Sequence, residues 1–237
     1  VVDASFYNKS TRNQIFDVEI SGASGFDRKW VNAGEINNKG IETLLTLYLV
    51  QTPGKFGWTT TLNYAQNRSK VVDLAPDVET VVLGTGGFGD VVVEARKGQP
   101  YGAIRGFRYA RDDQGRMLTS GGLPVLEDTL SVLGNIQPRF TGGWANQFTL
   151  GSWSLNTLLD IKRGGKLYSV TNMFGEYAGV LANTVKGREN DWNDPGIVVD
   201  GIDIDTGQAN DTPVTAELYY HGQFGATERY VYDASYV

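Results

Sequence analysis

From Arg139 to Ser169 the chain reads RFTGGWANQFTLGSWSLNTLLDIKRGGKLYS and alternates in steps of two. On the first arm Phe140, Gly142, Trp144, Asn146, Phe148 and Leu150 fall on one face, and Thr141, Gly143, Ala145, Gln147 and Thr149 on the other. After Gly151-Ser152 the pattern resumes, with Trp153, Leu155, Thr157, Leu159 and Ile161 opposite Ser154, Asn156, Leu158, Asp160 and Lys162. Alternation of this length predicts two β-strands well beyond the usual five or six or so residues. Gly-Ser between them suits a two-residue type II′ turn, where glycine supplies the positive φ of the first position. One face is apolar and aromatic, the other small, hydroxyl, amide or charged. In a soluble sandwich the apolar face packs on a second sheet; in an outer-membrane barrel it meets lipid while the polar face lines the lumen. Arms this long favour the barrel, since a tilted strand crosses a bilayer in about 9–11 residues.

The same design precedes it. Lys39 to Val50 predicts a strand, Pro53-Gly54 a tight turn, and Trp58 to Lys70 the return strand, with Trp58, Thr60, Leu62 and Tyr64 facing one way. A Trp just past each turn suits the aromatic girdle of a membrane barrel. At the N-terminus Ala4 and Phe6, then Phe16, Val18 and Ile20, suggest strands separated by a polar turn at Tyr7–Asn13, with a Gly- and Asn-rich loop at Ser21–Asn38. Val71–Asn135 reads as a folded loop excursion. It has short strands at Val78–Val82 and Val91–Ala95 and a hairpin from Tyr101 to Leu118 turning at Asp112–Gly115. Thr171–Glu228 is a long loop with a short helix at Asn172–Thr184, a length that is uncommon without a function. Arg229–Val237 begins another alternating strand, with Tyr230, Tyr232 and Tyr236 on one face. The expectation is an all-β protein, an antiparallel transmembrane barrel segment with long loops at one end.

Composition narrows the classes. The 237 residues include 30 Gly, 5 Trp, 12 Tyr and 10 Phe, which fits long strands and polar loops. A net charge of −6 argues against nucleic acid as a partner. There is no Cys, hence no disulfide or thiolate chemistry, and no apolar run of membrane-helix length. The first residues lack the basic start and apolar core of a signal peptide.

Each catalytic or binding motif in the chain has a plainer structural reading beside it. Gly84-Thr85-Gly86-Gly87-Phe88-Gly89 has the G-x-G-x-x-G spacing, but Asp90-Val91-Val92-Val93 is strand-forming where a dinucleotide site needs a helix, so a loop is expected. Asp203 and Asp205 resemble the start of a calcium loop, but Gln208 and Val214 stand where its Gly and Glu belong, which favours a solvated turn. His221 is the one histidine, so neither a zinc site nor a Ser-His-Asp triad has its usual base. Arg105, Arg108 and Arg111 are candidates for an anionic ligand, and Tyr177, Trp192, Tyr219 and Tyr220 for stacking on sugar rings. Loop packing accounts equally well for the aromatics. No catalytic constellation emerges and no cofactor is implied.

Seven stretches, SFYNKSTRNQI, NAGEINNKGIE, LNYAQNRSKVVDL, GQPYGAIRGF, LGNIQPRFTGGWANQF, LDIKRGGKLYS continued by NMFGEYAGV, and VYDASYV, occur in the order found in SusC/RagA-type TonB-dependent transporters of Bacteroidetes, which the chain resembles nearly throughout. The resemblance implies part of a 22-stranded plugged barrel that imports glycans or peptides across the outer membrane. It implies a SusD/RagB-like surface lipoprotein and TonB as partners, with outer-membrane lipid around the wall. Residues 1–237 would then be a partial barrel domain, with plug, TonB-contacting segment and signal peptide before Val1 and closing strands after Val237. Short turns would face the periplasm and the three long loops the outside. The alternative reading is a soluble all-β carbohydrate-binding or adhesin-like module.

Overall fold

The computed structural model describes residues 1–19, 25, 28–32, 34–52, 54–87, 91–189 and 196–237. In chain order the first strands are β1 (Val2–Arg12), β2 (Ile15–Glu19), β3 (Arg28–Asn32), β4 (Glu35–Gln51), β5 (Phe56–Asp73), β6 (Thr80–Thr85) and β7 (Val92–Arg96). Then follow β8 (Ala103–Gly106), β9 (Leu118–Ser120), β10 (Leu123–Pro124), β11 (Ser131–Asn135), β12 (Pro138–Leu150), β13 (Trp153–Gly164) and β14 (Lys166–Tyr168). The last part holds α1 (Val170–Tyr177), a 3₁₀ turn (Ala182–Val185), β15 (Ile197–Val198), β16 (Ile202–Asp203), β17 (Pro213–Val214), α2 (Ala216–Gly222), a second 3₁₀ turn (Thr227–Tyr230) and β18 (Val231–Asp233).

Five long strands form one antiparallel sheet in the order β1-β4-β5-β12-β13. The hairpin expected around Gly151-Ser152 is present, with Leu150 opposite Trp153, and Gly151 takes φ +58° as a type II′ turn requires. The neighbouring turn between β4 and β5 lies at the same end, joined by Gly151 N–H donating to the Lys55 carbonyl at 3.1 Å. Pro53 of that turn lies outside the described residues, while Gly54 takes φ +68°.

Register carries the alternation across the whole sheet. Leu45, Leu62, Trp144 and Leu159 are partners on one face; Thr46, Thr61, Ala145 and Leu158 are partners on the other. The apolar face stays bare: Trp153 is 81% exposed, Leu155 60% and Phe6 77%, and Leu62, Trp144 and Leu159 are also exposed. A sandwich would bury these positions under a second sheet. Buried cores lie in the loops instead. One unites Phe16, Ile36, Val71, Leu74, Val81 and Ala95; the other unites Ile197, Val199, Val214, Ala216 and Tyr220. Leu158, on the polar face, is 71% exposed, an exception to the alternation for which the described contacts offer no reason.

Several expected boundaries move. Tyr7–Asn13 is not a turn: β1 runs on to Arg12, and the chain reverses at Asn13, at φ +54°. Strict alternation is needed only where one face meets lipid; beyond it Asn37 bonds Asn8 (2.8 Å) and Ser10 (3.1 Å) across the ladder, so polar residues continue the strand. Within Ser21–Asn38, β3 pairs with β2 and β4 starts at Glu35, four residues before the expected Lys39. A tight turn does form at Asp112–Gly115, where Asp112 N–H bonds Arg116 O at 3.0 Å, but its arms are short and β8 pairs with β7 and β11 instead. The expected helix at Asn172–Thr184 is α1 plus a separate 3₁₀ turn, and α2 is an addition. Tyr230 is not on a strand face: it ends a 3₁₀ turn and is fully buried, while Tyr236 bridges Lys162 beside β13.

Candidate functional site

Two surfaces are candidates for function: the polar face of the sheet, and the body formed where the long loops meet. On the polar face Thr59, Thr61, Gln147 and Asn156 line a groove of about 340 Å³. Ala145 and Leu158 line it as well, so it offers neutral hydroxyl and amide groups beside apolar carbon, suited to many weak contacts.

The loop body joins the excursion between β5 and β12 to the segment after β13. β16 pairs in parallel with β9, aligning Ile202 with Leu118. Tyr109 N–H bonds Glu228 Oε2 at 3.0 Å, and its hydroxyl donates to Gln223 Oε1 at 2.5 Å. Burial is the main cause that pushes the Tyr109 hydroxyl up to about 12. α1 begins on Ser169, whose hydroxyl accepts from Asn172 N–H at 3.2 Å, an N-cap that places Glu176 on the inner side of the helix.

Glu176, only 4% exposed, is fully engaged. Its carboxylate takes a fork from Arg229 (Nε at 2.5 Å, the second nitrogen at 3.2 Å), the Tyr230 hydroxyl at 3.2 Å and Asn183 Nδ2 at 2.5 Å. Burial alone would lower the Arg229 pKa, but the hydrogen bond and charge of Glu176 carry it above the ordinary value. Burial, then the Glu176 charge, raise that of Tyr230. An acid held this way is a tie between α1 and the chain's last turn, not a free acid or base.

Beside it a cleft with about 140 Å³ of free volume is lined by Glu176, Tyr177, Arg188, Glu217, Tyr220 and His221 among others. Tyr177 stacks on His221 at 4.4 Å and meets Phe224 edge-on at 5.3 Å. Tyr219 carries Arg229 over its ring at 5.7 Å. Tyr220 is buried, donating its hydroxyl to Asn183 O at 2.7 Å, so its ring packs the core. Trp192 lies outside the described residues. The structure therefore brings Tyr177, Tyr219 and Tyr220 to one place, with Tyr177 the more open of them.

The other candidates resolve plainly. Asp203 Oδ1 accepts the N–H groups of Asp205 (3.1 Å) and Thr206 (2.9 Å), which closes a turn; the Thr206 backbone bond is the first cause of its lowered pKa. Among the described residues no group of three or more His, Cys, Asp or Glu is placed to hold a metal. Arg105 is tied to Leu130 O and Arg108 to Val132 O, and Arg111 pairs with Glu228 at 3.3 Å. β6 ends at Thr85 and β7 follows; Phe88, Gly89 and Asp90 lie outside the described residues. The residues that sequence reasoning missed are Glu176, Arg229, Tyr109 and Gln223, whose partners lie 53 to 119 positions away or sit in turns with no periodic signal.

No protein-family model matches the chain. It is similar to TonB-dependent receptor P3 of Formosa agariphila, 24% identical over 98% of this chain and 24% of the relative. TonB-dependent receptor P26 of the same organism is 35% identical over 30% of the chain and 7% of its own length. Among solved structures, the RagAB peptide importer in the closed-closed state superimposes on 99% of this chain and 25% of its own, with a TM-score of 0.65 and 17% identity. The structure of the RagAB peptide transporter covers 74% of this chain with a TM-score of 0.58 and 19% identity. The chain thus spans about a quarter of the relatives it matches end to end. In sequence and in fold the chain resembles the outer-membrane β-barrels of SusC/RagA-type TonB-dependent transporters, along about a quarter of their length.

Proposed function

We propose that this segment forms part of the wall and outer loops of a nutrient importer, in which TonB-coupled energy drives uptake of glycans or peptides across the outer membrane. One observation carries the reading: long strands whose apolar face is bare on one side and whose polar face is open on the other, with the loops folded together at one end. The wall needs lipid outside and water inside, an arrangement that serves passage and not soluble binding. The loop body would hold ligand beneath a SusD/RagB-like lipoprotein, with Tyr177 the first aromatic a sugar ring or aromatic side chain meets there. Glycan-binding aromatics present an open ring face. The stack with His221 leaves Tyr177 one such face, whereas Tyr219 is covered by Arg229 on one side.

The test is uptake by intact cells of the source bacterium, comparing labelled oligosaccharides with labelled oligopeptides in strains with and without the gene for the full-length protein. Loss of one class of uptake, reproduced by removing TonB, supports import and names the substrate class. Unchanged uptake of both classes would sink the reading.

A further inference from the structure

The lipid-facing side of the sheet changes chemistry at the end away from the short turns. Its last mainly apolar row is formed by the register partners Phe6, Ile41 and Gln66, and on the far strands by Phe140 and Arg163. The Phe140 ring lies 5.4 Å from that of Tyr64, which fixes this row on the outer face. The next row outward is Asn8, Lys39 and Arg68, and the one beyond is Ser10, Asn37 and Lys70. These rows contain cations at Lys39, Arg68, Lys70 and Arg163, all exposed, and no carboxylate. None of the four has an ion pair or side-chain hydrogen bond among the described residues, whereas Arg12, one row further out, is held by Glu35 at 3.2 Å. Alternate residues on a strand lie about 6.7 Å apart and adjacent strands about 4.8 Å, so Lys39, Arg68 and Lys70 lie within reach of a single phosphate group.

We propose that Lys39, Arg68 and Lys70 bind the phosphate of a membrane-lipid headgroup in the leaflet at the long-loop end, with Arg163, two strands from Arg68 across β12, adding to the positive charge of the same rim. The inference rests on the barrel reading above. Immediately beyond an apolar surface that abuts acyl chains is the level of the headgroups, where unpaired cations meet anionic lipid and gain most from it. A soluble anion gains nothing from standing against the outer wall. The lumenal cations Lys9 and Lys162 fall on the opposite face and serve as the internal comparison.

The experiment uses the full-length protein in non-ionic detergent, titrated with phosphorylated lipid A, with the same lipid dephosphorylated, and with inorganic phosphate. The expected result is at least ten-fold tighter binding of the phosphorylated lipid, weakened by salt, with no competition from millimolar inorganic phosphate. Lys39→Gln with Arg68→Gln should abolish the preference, while Lys9→Gln with Lys162→Gln, the same change in net charge, should keep it. Equal binding of both lipids by the wild type overturns the proposal, as does equal loss in both double variants. Competition by inorganic phosphate overturns the lipid as the source of the phosphate. If the outer-face variant does not assemble, the wild-type comparison of the two lipids still decides. Failure of the wild type to show heat-dependent mobility on gels would instead count against the barrel itself.

Discussion

At the scale of single residues the outer face tolerates polar atoms only where they are satisfied. Thr60 and Asn146 sit among aromatics and are buried. The Trp144 indole N–H donates to Thr60 Oγ1 at 2.8 Å, Thr60 in turn donates to Ala145 O at 3.3 Å, and the Trp58 N–H donates to Asn146 Oδ1 at 3.1 Å. With no water in the hydrocarbon, each pair is worth keeping whole. Asn146→Leu should strand the Trp58 donor and cost about 1–3 kcal/mol. Adding Trp58→Phe should recover most of that loss, read as the urea midpoint of the full-length barrel in liposomes. A double variant no better than the single would mean that the bond contributes nothing. Leu155→Arg should impair membrane assembly, since an arginine on the lipid face costs up to about 2–4 kcal/mol at the bilayer midplane and less toward the interface. Asn156→Ala, on the polar face, should assemble as the wild type does. If Leu155→Arg assembles normally, or Asn156→Ala does not, the faces have been assigned the wrong way round.

At the scale of elements, long strands and loop body are stabilised by different means. β4 and β5, of 17 and 18 residues, exceed what the bilayer needs, and their ends pack the loop core through Ile36 and Val71. The ring of Tyr7 lies over Gly40, where a Cβ would come within 2.3 Å of it, so the strand needs glycine there. In the loop body Glu176 is the tie. Glu176→Gln should leave the half-buried Arg229 charge uncompensated, at a cost below the about 3–5 kcal/mol of breaking a fully buried pair from one side. The expected readout is faster proteolysis between residues 170 and 230 while the heat-dependent gel mobility of the barrel is unchanged. Equal protease resistance would mean the body is held by its apolar core alone. Tyr230→Phe removes one hydrogen bond, an effect of about 0.5–1.5 kcal/mol in the same assay.

At the scale of the molecule, the sheet has two open margins. Among the described residues β1 pairs on one side with β4, and β13 meets beyond β12 only the bridge from Tyr236, whose hydroxyl also donates to Asp160 at 2.8 Å. Backbone groups on such margins must be paired before a sheet can sit in lipid. Residues 1–237 expressed alone are therefore expected to give no heat-resistant folded band in liposomes, whereas the full-length protein should. A stable monomeric fold of the isolated stretch in plain buffer would favour the soluble module instead.

The alternation of Trp144, Phe148, Leu155 and Leu159 was enough to place two strands, their turn and their faces, because a period of two is a local property that needs no partner. For the same reason it could not show where β1 ends or that Tyr230 turns inward. Outside the bilayer the pattern relaxes, and a polar strand such as Tyr7–Arg12 looks like a turn. The apolar residues of the loop body, Ile197, Val199 and Val214, are few and scattered, and carry no period at all. Their core, the parallel pairing of β16 with β9, and the Glu176–Arg229–Tyr230 tie join positions far apart in the chain. Contacts of that kind are decided by which loops reach each other once the wall is built, and so they belong to the tertiary structure. The lipid-facing character of the wall belongs to the sequence; the row of unpaired cations along its rim appears only when register lays Lys39 beside Arg68.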